Sequence, residues 1–253
     1  MAHHETIRIL PDAKTAVLFM HGIAGTPDHF RALLPLEELV PHDWSLYNVL
    51  MDGHGRQVED FSKTSMKKWK TQVMGIFDQL CATHDRVIVV GHSMGTLFAV
   101  QMALRRPDKV PFIFLIASPM RVGVKLYGAV NLIRLSFGAL DPNDPVQAAT
   151  SQVSSITQTW QSWRYIGWIP RLIELLDEMK YTESLLPKLE VPCIAFQSKG
   201  DELVSCRSCG ILRNSGRVEV HGLRRSTHFY YAPEDIETVQ ARFREKIETA
   251  GSD

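Results

Sequence analysis

Residues 86–95 read Arg-Val-Ile-Val-Val-Gly-His-Ser-Met-Gly, an apolar β-branched run that passes straight into G-x-S-x-G. Such a run suits a strand buried on both faces of a parallel sheet, where neither face has to meet water. The stretch after it, Thr96–Arg105, is mostly apolar and suits a helix covering the sheet centre. Strand, G-x-S-x-G, helix is the setting in which this motif forms a nucleophile elbow. A sharp turn there forces Ser93 into a strained backbone conformation and lifts its hydroxyl out at the C-terminal edge of the sheet. Gly91 and Gly95 then approach so closely that a side chain on either would clash. The helix start behind Ser93 offers backbone N–H groups and a positive dipole end to a developing oxyanion.

Outward from this turn, strands and helices alternate. Thr6–Leu10 reads as an edge strand, and Thr15–Met20 as an apolar run ending at His21-Gly22. Trp44–Met51, Pro111–Ala117, Pro192–Gln197 and Arg217–Val220 have strand character. Ser65–Thr83 places Met66, Trp69, Val73, Ile76, Phe77 and Leu80 at three- and four-residue spacings, the stripe of an amphipathic helix. Pro233–Thr249 is also amphipathic. Alternating βα units predict a mostly parallel central sheet with helices on both faces. One region breaks the rhythm. Roughly seventy residues separate the strand ending near Ala117 from the one starting near Pro192, far more than a crossover helix needs. They read as helices at Lys125–Phe137, Pro145–Trp163 and Pro170–Met179, a helical cap inserted at about 121–187 in a single domain spanning 1–253.

Composition narrows the function. The 253 residues carry 28 Lys plus Arg against 28 Asp plus Glu, so the basic excess of a nucleic-acid binder is missing. No uninterrupted apolar stretch reaches the roughly 18 residues of a membrane span. The N-terminus, MAHHETIRIL, lacks a basic segment followed by an apolar one, so no secretory signal is visible and a cytoplasmic protein is expected. Four cysteines are too few for a disulfide scaffold at this length. Cys206 and Cys209 have CxxC spacing, but no second CxxC or His pair completes a metal site, and they read as reduced cysteines on a helix.

A serine nucleophile needs a base, and the base needs an orienting acid. Among ten histidines, His228 lies in Ser226-Thr227-His228-Phe229, after the last strand and before the last helix. His3 and His4 are terminal, His92 is inside the elbow, and His29, His42 and His84 lack a strand-end position. His54 follows a strand, and His21 reads as a structural residue tying its loop down. The acid is Asp201, just after the strand Pro192–Gln197, with Glu202 as its rival. His21-Gly22-Ile23-Ala24-Gly25 is a second glycine-rich turn after a strand. It leaves the Ile23 N–H free to form, with the Met94 N–H, a two-donor oxyanion hole. Neither a P-loop nor a dinucleotide fingerprint is present, which argues against a phosphate cradle.

The order Ser93, Asp201, His228 is that of the α/β-hydrolases. HGIAG, DGHG, GHSMG, QSKGDELV and STHF, in sequence, resemble that superfamily over nearly the whole chain, and within it the carboxylesterases and monoacylglycerol-lipase-like enzymes with a small cap. The resemblance implies an α/β-hydrolase fold and a serine hydrolase of carboxylic esters, acting through an acyl-enzyme without metal or organic cofactor. Its substrate would be a small-molecule ester. The apolar cap, which carries Trp160, Trp163 and Trp168, points to short- to medium-chain acyl esters or monoacylglycerols and makes those tryptophans candidate substrate contacts. Thioesterase, amidase and peptidase chemistry use the same triad. A ligand-binding protein that keeps the fold with little turnover is the alternative from another class.

Overall fold

A computed structural model describes residues 4–155, 159 and 161–252. The β-branched run that opens the motif is β4 (Arg86–His92) and lies at the middle of a seven-stranded sheet. Its side chains alternate between two cores: Val87 and Val89 face one, Ile88 and Val90 the other, all fully buried. β4 is flanked by β2 (Thr15–Met20) and β5 (Ile113–Ile116). β3 (Ser45–Val49) and β1 (Thr6–Arg8) extend the sheet on one side, β6 (Cys193–Ser198) and β7 (Val218–Leu223) on the other. Every pairing is parallel except that of the edge strand β1 with β3.

Helices cover both faces. α1 (Val58–Ser62) is one short turn. α2 (Met66–Thr83) buries Met66, Trp69, Val73, Phe77, Leu80 and Cys81 and starts at a Ser65 cap whose hydroxyl accepts from Lys68 N–H. α3 (Met94–Arg105) begins at the residue after Ser93, two residues earlier than the apolar pattern suggests, because the elbow contains no loop at all. α7 (Arg207–Asn214) and α8 (Pro233–Ser252) follow β6 and β7.

Between β5 and β6 run α4 (Leu126–Ser136), α5 (Pro145–Val153), a 3-10 segment (Ser162–Trp168) and α6 (Ile169–Leu185). Two expected boundaries move. α5 stops at Val153 rather than Trp163, since Ser154 turns extended (ψ 116°) and hydroxyl-bearing residues compete poorly for helix. α6 runs six residues past Met179, to Leu185, and its first turn takes Pro170, where a missing N–H costs nothing. The apolar stripe of α4 faces away from the sheet. Leu126 (82% exposed), Val130, Ile133 and Phe137 face outward, while Gly128 and Asn131 are the buried positions. The spacing is helical as expected, but the stripe does not pack on the sheet.

The excursion is anchored to the rest of the chain at three places. Lys125 N–H donates to the Glu202 carbonyl (2.9 Å), and Ser155 N–H to that of Ala24 (3.2 Å). Arg164 pairs with Glu59, and the Trp168 indole donates to the Val58 carbonyl (3.3 Å) with its ring 4.6 Å from Phe61.

Candidate active site

Ser93 sits at φ 50°, ψ −119°, the strained conformation that the motif requires of a non-glycine residue. Its N–H is held by the Ile116 carbonyl of β5 (2.8 Å). A Cβ on Gly91 would lie 2.6 Å from the Gly95 carbonyl carbon, so the two glycines do pass at backbone contact. On the other side of Ser93, a Cβ on Gly22 would lie 2.8 Å from Ser93 Cβ. The HGIAG backbone thus lies directly against the nucleophile candidate, as an amide donor in that loop must.

Two histidines shape the loop. His54 Nδ1–H donates to the Met51 carbonyl (3.1 Å), leaving Nε2 to accept the Ala24 N–H (3.1 Å). His21 Nδ1–H donates to the Gly22 carbonyl (2.8 Å) and Nε2 accepts from Met51 N–H (3.1 Å). Gly25 N–H closes the turn on the Gly22 carbonyl (3.0 Å). None of these bonds uses the Ile23 N–H. His21 is structural as expected; the part of His54 is new, and only its place after a strand hinted at it.

Asp201 and His228 meet. Asp201 Oδ2 accepts from His228 Nδ1–H at 2.9 Å, and Oδ1 accepts the Leu203 and Val204 N–H groups at 2.8 Å each. Burial alone would raise the Asp201 pKa, but His228 and those amides lower it below the ordinary value. For His228, burial pulls down while the Asp201 charge and hydrogen bond, and then Glu202, push up; the net shift is upward. The Nδ1–H bond to a carboxylate fixes the tautomer and leaves Nε2 as the basic edge. The two loops are tied together by Ser198 Oγ–H donating to the Ser226 carbonyl, and Ser226 Oγ–H donates to Asp235 Oδ2 (2.7 Å). Elbow and histidine loop meet at His92, whose ring lies 4.8 Å from that of His228.

Glu202, read from sequence only as the rival acid, is buried and does something else: its Oε2 accepts the His228 main-chain N–H (2.9 Å). Of the cap tryptophans, Trp163 is 57% exposed, Trp168 is packed between Phe61 and Tyr165, and Trp160 lies outside the described residues. Cys206 and Cys209 are free thiols at the start of α7. Among the described residues no cluster could hold a metal ion and no helix is long and apolar enough to cross a membrane. A cavity of about 840 Å³ lined by Lys14, Trp44 and Arg86 opens at the N-terminal ends of the strands, away from Ser93.

A parallel sheet with an elbow serine at its C-terminal edge, and an Asp–His pair on the loops after β6 and β7, defines an α/β-hydrolase. More narrowly, residues 11–210 match the serine aminopeptidase S33 family, and the chain belongs to it. It is similar to a thermostable monoacylglycerol lipase of Bacillus sp. (strain H-257), with 26% identity over 223 residues, 84% of this chain and 82% of the relative. Among solved structures it resembles a monoacylglycerol lipase of Paleococcus ferrophilus (TM-score 0.67, 16% identity, 98% of this chain and 99% of that one). It also resembles a structure from work on LipS and LipT, two metagenome-derived lipolytic enzymes (TM-score 0.67, 18% identity, 99% and 96%). At such identities the structural likeness speaks for the fold.

Proposed function

We propose that this protein is a serine hydrolase of carboxylic esters, a single domain whose cap, at about 121–187, covers Ser93. The observation that carries the reading is the Asp201–His228 hydrogen bond, on a loop that meets the elbow through His92, together with a serine held at φ 50°. His228 Nε2 takes the Ser93 proton as Oγ attacks the acyl carbonyl, and Asp201 stabilises the imidazolium that forms. The Ile23 and Met94 N–H groups receive the oxyanion. His228 then protonates the departing alcohol, and the acyl-enzyme is released by water that the same imidazole activates.

Monoacylglycerols and short- to medium-chain acyl esters fit the lipase relative and a cap rich in apolar side chains. Each buried methylene contributes about 0.8 kcal/mol, enough for several-fold selectivity per carbon. The family description favours a second reading, cleavage of an aminoacyl amide. A fluorophosphonate probe, a ladder of p-nitrophenyl esters and an aminoacyl arylamide separate the cases. Labelling of Ser93 with ester turnover that depends on chain length supports the proposal. Arylamide turnover above that of every ester supports the peptidase. No label and no turnover would leave a ligand-binding protein.

A further inference from the structure

His228 is gripped through its main chain as well as through its ring. Glu202 Oε2 accepts its N–H at 2.9 Å, and its carbonyl accepts a hydrogen bond from His92 Nε2–H at 3.1 Å. A carbonyl can only accept, so His92 is the Nε2–H tautomer. Burial first, and the neighbouring histidines second, keep His92 neutral. Its ring is stacked on His29 at 3.6 Å, and His29 Nε2 in turn meets the Tyr231 hydroxyl at 3.1 Å. Glu202 is itself fixed: its carbonyl takes the Lys125 N–H, and α4 passes so close that a Cβ on Gly128 would lie 2.8 Å from Glu202 Cβ. A carboxylate is costly to bury, and burial raises the Glu202 pKa. The His228 N–H across the site offsets part of that cost.

We infer that Glu202 and His92 are positioning residues that hold the two sides of the His228 main chain and so keep its imidazole aligned with Asp201. The inference rests on His228 being the general base. Glu202 reaches it from the loop after β6 and His92 from the end of β4, so neither adjoins His228 in sequence. The charged and titratable groups facing the imidazole are Asp201 and Glu202 from the first loop, with His92, His29 and Tyr231 around them.

Glu202→Leu removes the acceptor, while Glu202→Gln keeps a carbonyl oxygen there and removes only the charge. His92→Phe keeps a ring against His29 and removes the donor. In Glu202→Leu, kcat is expected to fall about ten- to hundred-fold with KM nearly unchanged, the scale of a small misplacement at the reacting group. Glu202→Gln recovers most of that loss. The His228 pKa is read without substrate from ¹³C-labelled histidine spectra, with the resonance assigned by its disappearance in His228→Asn. It should fall in His92→Phe and fall further in Glu202→Leu than in Glu202→Gln, where only the charge is lost. Equal loss of kcat in Glu202→Gln and Glu202→Leu, or a His228 pKa unmoved in all three variants, overturns the inference. Should Glu202→Leu not fold, the pKa in His92→Phe, which changes no charge, decides alone. Should the wild-type protein cleave no ester, the proposed function fails while the spectra still test the grip.

Discussion

At the residue scale, Ser93 and His228 carry the sharpest expectations. A serine at φ 50°, ψ −119° stores strain of about 1–3 kcal/mol, and only glycine adopts that conformation freely. Ser93→Gly should therefore raise the unfolding free energy by about 1 kcal/mol in urea titrations, after the extra unfolded-state entropy of glycine is deducted, while abolishing turnover. On the proposed mechanism, Ser93→Ala should cost roughly 10⁴-fold in kcat, because members of a catalytic triad act as a unit. Asp201→Asn, which offers the imidazole an amide in place of a carboxylate, should cost about 10³–10⁴-fold. The pH profile follows from the sign of one shift. As the proposed base, His228 would have to be neutral to accept the serine proton, and its pKa is raised above the ordinary 6.5. The acid limb of kcat/KM should thus have its midpoint above 6.5, and a midpoint below it would mean that Asp201 does not hold the imidazolium.

At the element scale, the β4–α3 junction and the cap behave differently. The junction is closed by backbone contact, so its geometry is set by local sequence. The segment between β5 and β6 is held by main-chain hydrogen bonds at Lys125 and Ser155 and by side chains such as Arg164 and Trp168, and its tryptophans divide accordingly. Trp168 lies against Phe61 and Tyr165 and donates to Val58, so Trp168→Ala should cost about 2 kcal/mol in the cap's attachment, seen as a lower Tm. Trp163 is 57% exposed, so Trp163→Ala should lower Tm less than Trp168→Ala does. If it lines the path of the acyl chain, the same change alters chain-length preference on the ester ladder. If the ladder is unaltered, Trp163 is no substrate contact.

For the whole molecule, three buried histidines should make stability fall in acid. His29, His54 and His92 are kept neutral, their pKa values pushed well below 6.5 by burial first and by nearby histidines second. Below 6.5 the unfolded chain binds protons at these positions that the folded one refuses. Stability should then fall as the pH drops below 6.5, by at most about 1.4 kcal/mol per pH unit for each. His228 has the opposite sign: its contribution is present below the unfolded pKa and is lost as pH rises through the folded one, so it adds no slope in the acid window. Urea unfolding at pH 6.5 and 5.5 measures the slope. His54→Gln, whose side-chain oxygen can still accept the Ala24 N–H, should flatten it by about a third.

Much of this protein was legible along the chain, because the deciding signals are local. β-branched runs locate buried strands, three- and four-residue spacings locate α2 and α8, and the glycines of GHSMG require a strand–helix turn whatever surrounds it. Asp201 and His228 could be picked out because both follow strands, and a parallel sheet delivers the ends of its strands to one edge. Periodicity shows that a helix has an apolar face but not what covers it. Leu126, Val130, Ile133 and Phe137 have the spacing of a packed stripe, yet they face outward because Gly128, on the opposite side of α4, lets the helix close on Glu202. The same limit hid the Glu202 carboxylate on the His228 N–H, the His54 support of Ala24 and the His29–His92 stack. Each joins residues far apart in the chain, and their meeting depends on how strands and loops close in three dimensions, which no local pattern records.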